Sequence, residues 1–286
     1  MIIQPIFLFH VQTEQMPFDP TEQTKISLVT LAELVRGGAW QLSLVHDRGH
    51  HLLIWITRGQ GMAHLDGARR GTGVHNALFI PARQLMALDL GRQGFGQALV
   101  IPGDTSLSLP ARPQHLRIRD VGAHAEINLL IEALGREQNA NLARNQSAIL
   151  AYTELIAIWL HRQIDLQLQH TRLLPDTAAR KLSRSYCARL VSTYASAADM
   201  QDHAAALGVT ATHLARVTRA ETGQTAAKLL SERQLHAARQ LLLATDVPVR
   251  DIARHLGFGS PAYFTRFIKA HTGQPPTALR QGAGKP

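Results

Sequence analysis

Cysteine is nearly absent from this 286-residue chain: there is one, Cys187. A single thiol excludes an internal disulfide and any cysteine-based zinc cluster. Cys187 falls in helical register with Leu190 and Tyr194, which marks it as a small core residue. Long apolar runs are also missing, and no stretch approaches the ~20 residues needed to cross a bilayer. Residues 1–10 lack a basic n-region and are broken by Pro5, so they do not read as a signal peptide. A cytoplasmic protein with no membrane partner is expected. There is no nucleophile motif, no phosphate loop and no pair of carboxylates in a catalytic frame, so neither an enzyme nor a cofactor is expected. Negative charge is scarce in one place only. Residues 1–177 carry fifteen Lys/Arg against fifteen Asp/Glu, whereas residues 178–286 carry fifteen against six. The whole formal excess of +9 therefore sits on the C-terminal part. A basic module joined to a neutral one points to a polyanion binder attached to a module with another task.

The apolar pattern changes period along the chain. Short strand-like stretches at 26–35, 40–45, 52–56, 62–65, 77–80, 85–90 and 97–101 are punctuated by Gly and Pro. Asp66-Gly67 is a two-residue hairpin turn between two of them. Such spacing predicts an antiparallel sandwich or barrel. Helical spacing then takes over. Ile127, Leu130, Ile131 and Leu134 predict a helix over 123–138; Ile149, Tyr152, Ile156, Trp159 and Leu166 predict another over 145–168. These two could cover the sheet or form a dimer contact, for which Tyr152, Ile156 and Trp159 are the candidate stripe. Pro175-Asp176 marks a linker over 170–180. Beyond it helices are expected near 181–195, 200–207, 211–221, 225–244, 249–256, 261–270 and 276–281. Glycines at 208, 223, 257 and 273 fall at their ends.

The most specific signal is an internal repeat near fifty residues. Asp202, Ala204, Leu207, Gly208 and Val209 recur 49 residues later as Asp251, Ala253, Leu256, Gly257 and Phe258. One extra turn residue makes the offset 50, and Leu214, Arg216, Arg219 and Thr222-Gly223-Gln224 match Phe264, Arg266, Lys269 and Thr272-Gly273-Gln274. Each copy has the parts of a helix-turn-helix: a small Ala for close approach, a Gly for the bend, and an apolar plug after it. The motifs span about 200–221 and 249–270. The second helix of each buries one stripe (Leu214, Val217 and Thr218; Phe264, Phe267 and Ile268). The opposite stripe is Thr212, Arg216 and Arg219 in the first copy and Ala262, Arg266 and Lys269 in the second. Arg can pair bidentately with guanine, while outer cations and helix-end polar groups suit phosphates. Candidate DNA-binding residues are these six with Thr210, His213, Ser260 and Thr265. The helix between the copies, 225–244, is about 30 Å long, close to the ~34 Å between successive major-groove faces.

Ala238-Arg239-Gln240-Leu241-Leu242, Ile252-Ala253, Gly257-Phe258, Tyr263-Phe264-Thr265-Arg266-Phe267 and Gly273-Gln274-Pro275-Pro276 through Arg280 together resemble the signature of the AraC/XylS family of regulators. The resemblance covers 181–281. The family pattern commonly has a bulky residue where Thr218 stands and a serine where Thr210 stands. It implies an N-terminal cupin-like barrel that senses a small-molecule effector, helices that form a homodimer, contact with RNA polymerase, and activation of transcription. The expected fold is thus α+β with two domains. A cupin-like antiparallel β-barrel or sandwich occupies 1–122 with an N-terminal arm, dimerisation helices 123–169, the linker 170–180, and an all-α domain with two helix-turn-helix motifs 181–286. Two alternatives are a cupin enzyme localised by its DNA-binding module and an architectural DNA binder. The first needs a metal set. His46, His50 and His51 stand near the first cupin motif, but 52–56 offers no carboxylate and Leu85-Met86-Ala87 replaces the later histidine, so no metal is expected. These histidines read as surface or pocket-lining groups. Arg48, His50, Arg58 and Arg83 are the candidate effector-binding residues. Architectural binding does not require two different reading stripes on a rigid spacer.

Overall fold

The computed structural model describes residues 25–140, 142–170 and 176–282. The expected N-terminal arm, the reading of residues 1–10 and the centre of the linker lie outside the described residues.

Among the described residues eight strands form two antiparallel sheets. One has five strands in the order β1 (Ser27–Thr30), β7 (Phe95–Ile101), β2 (His51–Arg58), β5 (Asn76–Ile80), β8 (Gln114–Arg117). The other has three: β4 (Ala68–Gly73), β3 (Gln60–Leu65), β6 (Met86–Asp89). The sheets form a sandwich rather than the closed barrel allowed by the sequence. The central strands are apolar on both faces, and each face has its own core. Leu52, Ile54, Ile56, Leu78, Ile80, Ala98 and Val100 pack towards the small sheet. Leu53, Trp55, Ala77, Phe79, Leu99 and Ile101 pack towards two helices, α3 (Val121–Ala140) and α4 (Asn145–His170). A strand covered on both sides has no polar alternation, which is why 52–56 and 77–80 read as unbroken apolar runs.

Two expected strands are partly or wholly helix. Thr30 ends β1 and caps α1 (Leu31–Leu34) in a capping box with Glu33, whose carboxylate accepts the Thr30 N–H at 2.6 Å. The stretch 40–45 turns instead into α2 (Trp40–Ser43), held by the Trp40 indole N–H donating to Gly37 O at 2.8 Å. Strands β4 and β8 were not visible in the hydropathy pattern. Both are polar sheet edges that bury few residues.

The candidate dimer stripe is core. Ile156 and Trp159 are fully buried, Tyr152 packs beside them, and the Trp159 indole donates to Ala123 O at 3.1 Å. Burial of ring and donor together leaves Ile156 and Trp159 unavailable to a second chain, while Tyr152 stays partly exposed. The outside of α4 still exposes Leu150, Leu155 and Ile158.

The C-terminal part is helical throughout: α5 (Ala178–Thr193), α6 (Met200–Ala205), α7 (Ala211–Thr222), α8 (Ala226–Ala244), α9 (Val249–His255), α10 (Pro261–Thr272) and α11 (Pro276–Gly282). Cys187 is buried in the core of this part, and burial pushes its thiol up to about 12. That core also includes Val45, Leu85 and Ala87 from the sheet domain. Polar contacts reinforce the junction. Asp47 and Arg233 form a buried ion pair at 2.7 Å, Arg184 meets Asp66 at 2.7 Å, and Ser183 donates to Gly67 O at 2.7 Å. Among the described residues, no helix is long and apolar enough to cross a membrane.

Candidate nucleic-acid interface

The two motifs are built alike at the bend and in the second helix. Gly208 (φ 69°) and Gly257 (φ 75°) take the left-handed conformation that a side chain resists. The bend brings Val209 N–H to Ala204 O and Phe258 N–H to Ala253 O, both at 3.0 Å. The second helix of each motif then starts on a hydroxyl cap. Thr210 Oγ1 accepts from His213 N–H and Ser260 Oγ from Tyr263 N–H, each at 3.2 Å. Each ends on a glycine at φ 76°, Gly223 or Gly273. Thr222 and Thr272 turn their hydroxyls back onto Thr218 O and Ile268 O.

Packing fixes which face is left. Leu214 and Thr218 in α7, and Phe264 and Ile268 in α10, are fully buried, with Val217 nearly so and Phe267 partly covered. Thr218 stands where the second copy has Ile268, and its buried hydroxyl finds no partner. Thr212, Arg216 and Arg219 are exposed on α7, as are Ala262, Arg266 and Lys269 on α10. None of these four cations forms an ion pair with another described residue. Arg216 is steadied by His213, 3.1 Å from its guanidinium. Thr210 and Ser260 are exposed at the helix starts, and Thr265 is half-buried beside Arg266. The sequence reading missed Tyr263, 54% exposed on the same face. It occupies the repeat position of His213, so the fifty-residue offset could have found it.

The four candidate effector residues do not gather at one place: Arg48 and Arg83 are neighbours, and Arg58 stands apart. Arg48 is half-buried at the domain junction, donating to His46 Nε2 at 3.0 Å and Gln41 O at 3.1 Å, and desolvation brings it down to about 10. His50 is buried near the start of β2. Arg58 lies at the far end of that strand, 3.9 Å above the Phe95 ring. Arg83 is exposed in a turn, its N–H donating to Arg48 O. Eight residues of extended chain separate the Arg48 end from the Arg58 end, about 26 Å, too far for one small ligand. Nor is His46 a surface group: it is buried and stacks on His236 of α8 at 4.3 Å. Among the described residues, no group of three or more His, Cys, Asp or Glu could hold a metal ion.

Residues 203–282 match a family model described as a helix-turn-helix domain. Over 53 residues the chain is 43% identical to the HTH-type transcriptional regulator ExsA of Pseudomonas aeruginosa, covering 18% of this chain and 19% of that protein. Over 74 residues it is 34% identical to the uncharacterized transcriptional regulatory protein YesN of Bacillus subtilis, covering 25% and 20%. The matches thus span about one fifth of the length of these curated relatives. Along most of its length the chain is similar to the crystal structure of ToxT from Vibrio cholerae, with 11% identity, 92% of this chain and 98% of that chain covered, and a TM-score of 0.41. The paired motifs, their repeated caps and bends, and the local matches to two regulators agree on one assignment. Residues 203–282 form a DNA-binding helix-turn-helix domain of the AraC/XylS type, the type of domain shared with these two transcription regulators.

Proposed function

We propose that the chain is a cytoplasmic, ligand-responsive activator that binds double-stranded DNA as a homodimer, each chain reading two successive major grooves. The carrying observation is the pair of equivalent exposed stripes, Thr212/Arg216/Arg219 and Ala262/Arg266/Lys269, free of internal ion pairs. Helix α8 supports the spacing, since its 19 residues span about 28 Å. Activation and contact with RNA polymerase rest on the family resemblance. The apolar residues outside α4 supply a surface for the second chain once Trp159 is assigned to the core.

Binding-site selection with the intact protein tests the reading. Two preferred tracts should emerge about 10 base pairs apart, with affinity falling steeply in salt as phosphate counterions are released. Equal affinity for all sequences would point to an architectural role instead.

A further inference from the structure

A cleft in the sheet domain lies apart from the exposed stripes of the two motifs and from Arg48, His50, Arg58 and Arg83. It encloses about 790 Å³ between the two sheet edges and the C-terminal half of α4. Arg69 and Arg70 come from β4, Arg117 and Arg119 from β8 and the turn after it, and Gln163 and Gln167 from α4. Arg70, Arg117 and Arg119 thus line one cleft, with Arg69 at its border towards α7, in a part of the chain whose formal charges sum to zero. Among the described residues none of the four has a carboxylate within ion-pair distance. Arg117 only donates to Gly71 O at 3.3 Å. The carboxylates nearby are already engaged: Asp120 accepts the Ala123 N–H at 2.7 Å at the start of α3, and Asp66 is held by Arg184. The floor is apolar, with buried Leu116 and Ile118 and half-exposed Leu166.

From this lining we infer that the cleft is a binding site for a small organic anion carrying two or more carboxylate or phosphate groups on an apolar frame. Planar guanidiniums bind such groups bidentately, and the amides of Gln163 and Gln167 can complete the shell. The volume matches that of small-molecule sites and is too small for a duplex. Burial, then Arg180 and Arg184, hold Arg70 below its ordinary value against the opposing pull of Asp66, and a bound anion would relieve what remains. The cleft also has a route to the reading head. Arg69 lies against Gly223 at the end of α7, and β4 leads from the Asp66-Gly67 turn on which α5 is docked. The effector role of the site rests on the ligand-responsive reading above; the binding itself does not.

Calorimetry on the intact chain at low salt tests it, with citrate for the polycarboxylate arm, pyrophosphate for the phosphate arm, and chloride matched for ionic strength. At least one probe should bind, and an Arg70→Gln, Arg117→Gln double variant should bind it at least tenfold more weakly. Arg119→Gln, which removes no hydrogen bond seen in the structure, should weaken it severalfold and serves if the double variant does not fold. An Arg216→Ala, Arg266→Ala variant should keep anion affinity while losing DNA selectivity, so failure of the DNA reading would be seen separately. Binding no stronger than chloride for both probes overturns the proposal. So does unchanged affinity in the folded cleft variants, or loss in them of duplex DNA affinity with anion binding intact, which would make the cleft part of the DNA surface.

Discussion

At the scale of single residues the repeat invites matched experiments. Arg216 and Arg266 occupy the centre of the two exposed stripes, and in the proposed reading their guanidiniums contact base edges. Replacing either by Ala should cost about 1–3 kcal/mol of affinity and relax base preference over one short tract. Lys269 lies one turn further on, and Lys269→Ala should weaken binding to all sequences and lower the salt slope by about one unit. Binding-site selection with each variant checks both, and an even loss across sequences for the arginine variants would make them phosphate anchors. The turn glycines offer a second matched pair. A Cβ on Gly208 meets nothing, so Gly208→Ala carries only the left-handed backbone cost of about 1–2 kcal/mol. A Cβ on Gly257 would stand 2.6 Å from Ala195 O and 2.7 Å from Ser196 backbone, so Gly257→Ala must also displace main chain. Urea unfolding should show the larger loss for Gly257; equal losses would mean the α5–α6 connection yields freely.

At the scale of elements, legibility followed burial contrast. All seven C-terminal helices were readable within a few residues of their ends, because each buries one stripe and is punctuated by Gly, Pro or a hydroxyl cap. The central strands were readable as runs but not as to which face met which layer. Strands β4 and β8 hid because Arg69, Arg70 and Gly71, or Gln114 and His115, carry no alternation, and these two edges line the arginine cleft. The capping box Thr30-x-x-Glu33 was a local cue for α1, overridden by the apolar run around it. Sequence period identified the Tyr152/Ile156/Trp159 stripe correctly but could not say whether its partner was a sheet or another chain. Trp159 answers that, through its contacts with Trp55 and Ala123. Trp159→Ala should therefore destabilise the fold by about 3–5 kcal/mol rather than release a folded monomer. Sedimentation together with thermal unfolding distinguishes the outcomes. A stable monomeric Trp159→Ala chain would return that ring to an intermolecular interface.

For the molecule as a whole, what the sequence concealed is the junction between its halves. Asp47 and Arg233 are 186 positions apart and were unremarkable charges until the structure buried them together. Beside them His46 stacks on His236, Trp40 meets His236 edge-on at 5.2 Å, and Arg239 lies over the Trp40 ring. Helix α8 is thus both the spacer between the motifs and the bracket that holds them to the N-terminal sheets. Burial pulls both histidines well below their ordinary value; for His46 the neighbouring His236, Arg48 and Arg233 add to it, and for His236 the guanidiniums of Arg233, Arg48 and Arg239 do. His115, in the arginine cleft, is lowered to about 4, again by burial first and then by Arg117 and Arg70. Histidines that stay neutral in the folded chain but protonate near 6.5 when unfolded make the unfolded chain take up more protons below that pH. Their contribution is complete above about pH 6.5 and is lost as pH falls, for His115 until about pH 4. The urea midpoint of the intact chain should accordingly drop between pH 7.5 and 5.5. A His236→Phe variant keeps a ring against His46 and removes one buried titrating group, so its midpoint should fall less over the same range. If wild type and variant lose stability in parallel, the His46–His236 stack is not what ties docking of the two halves to pH.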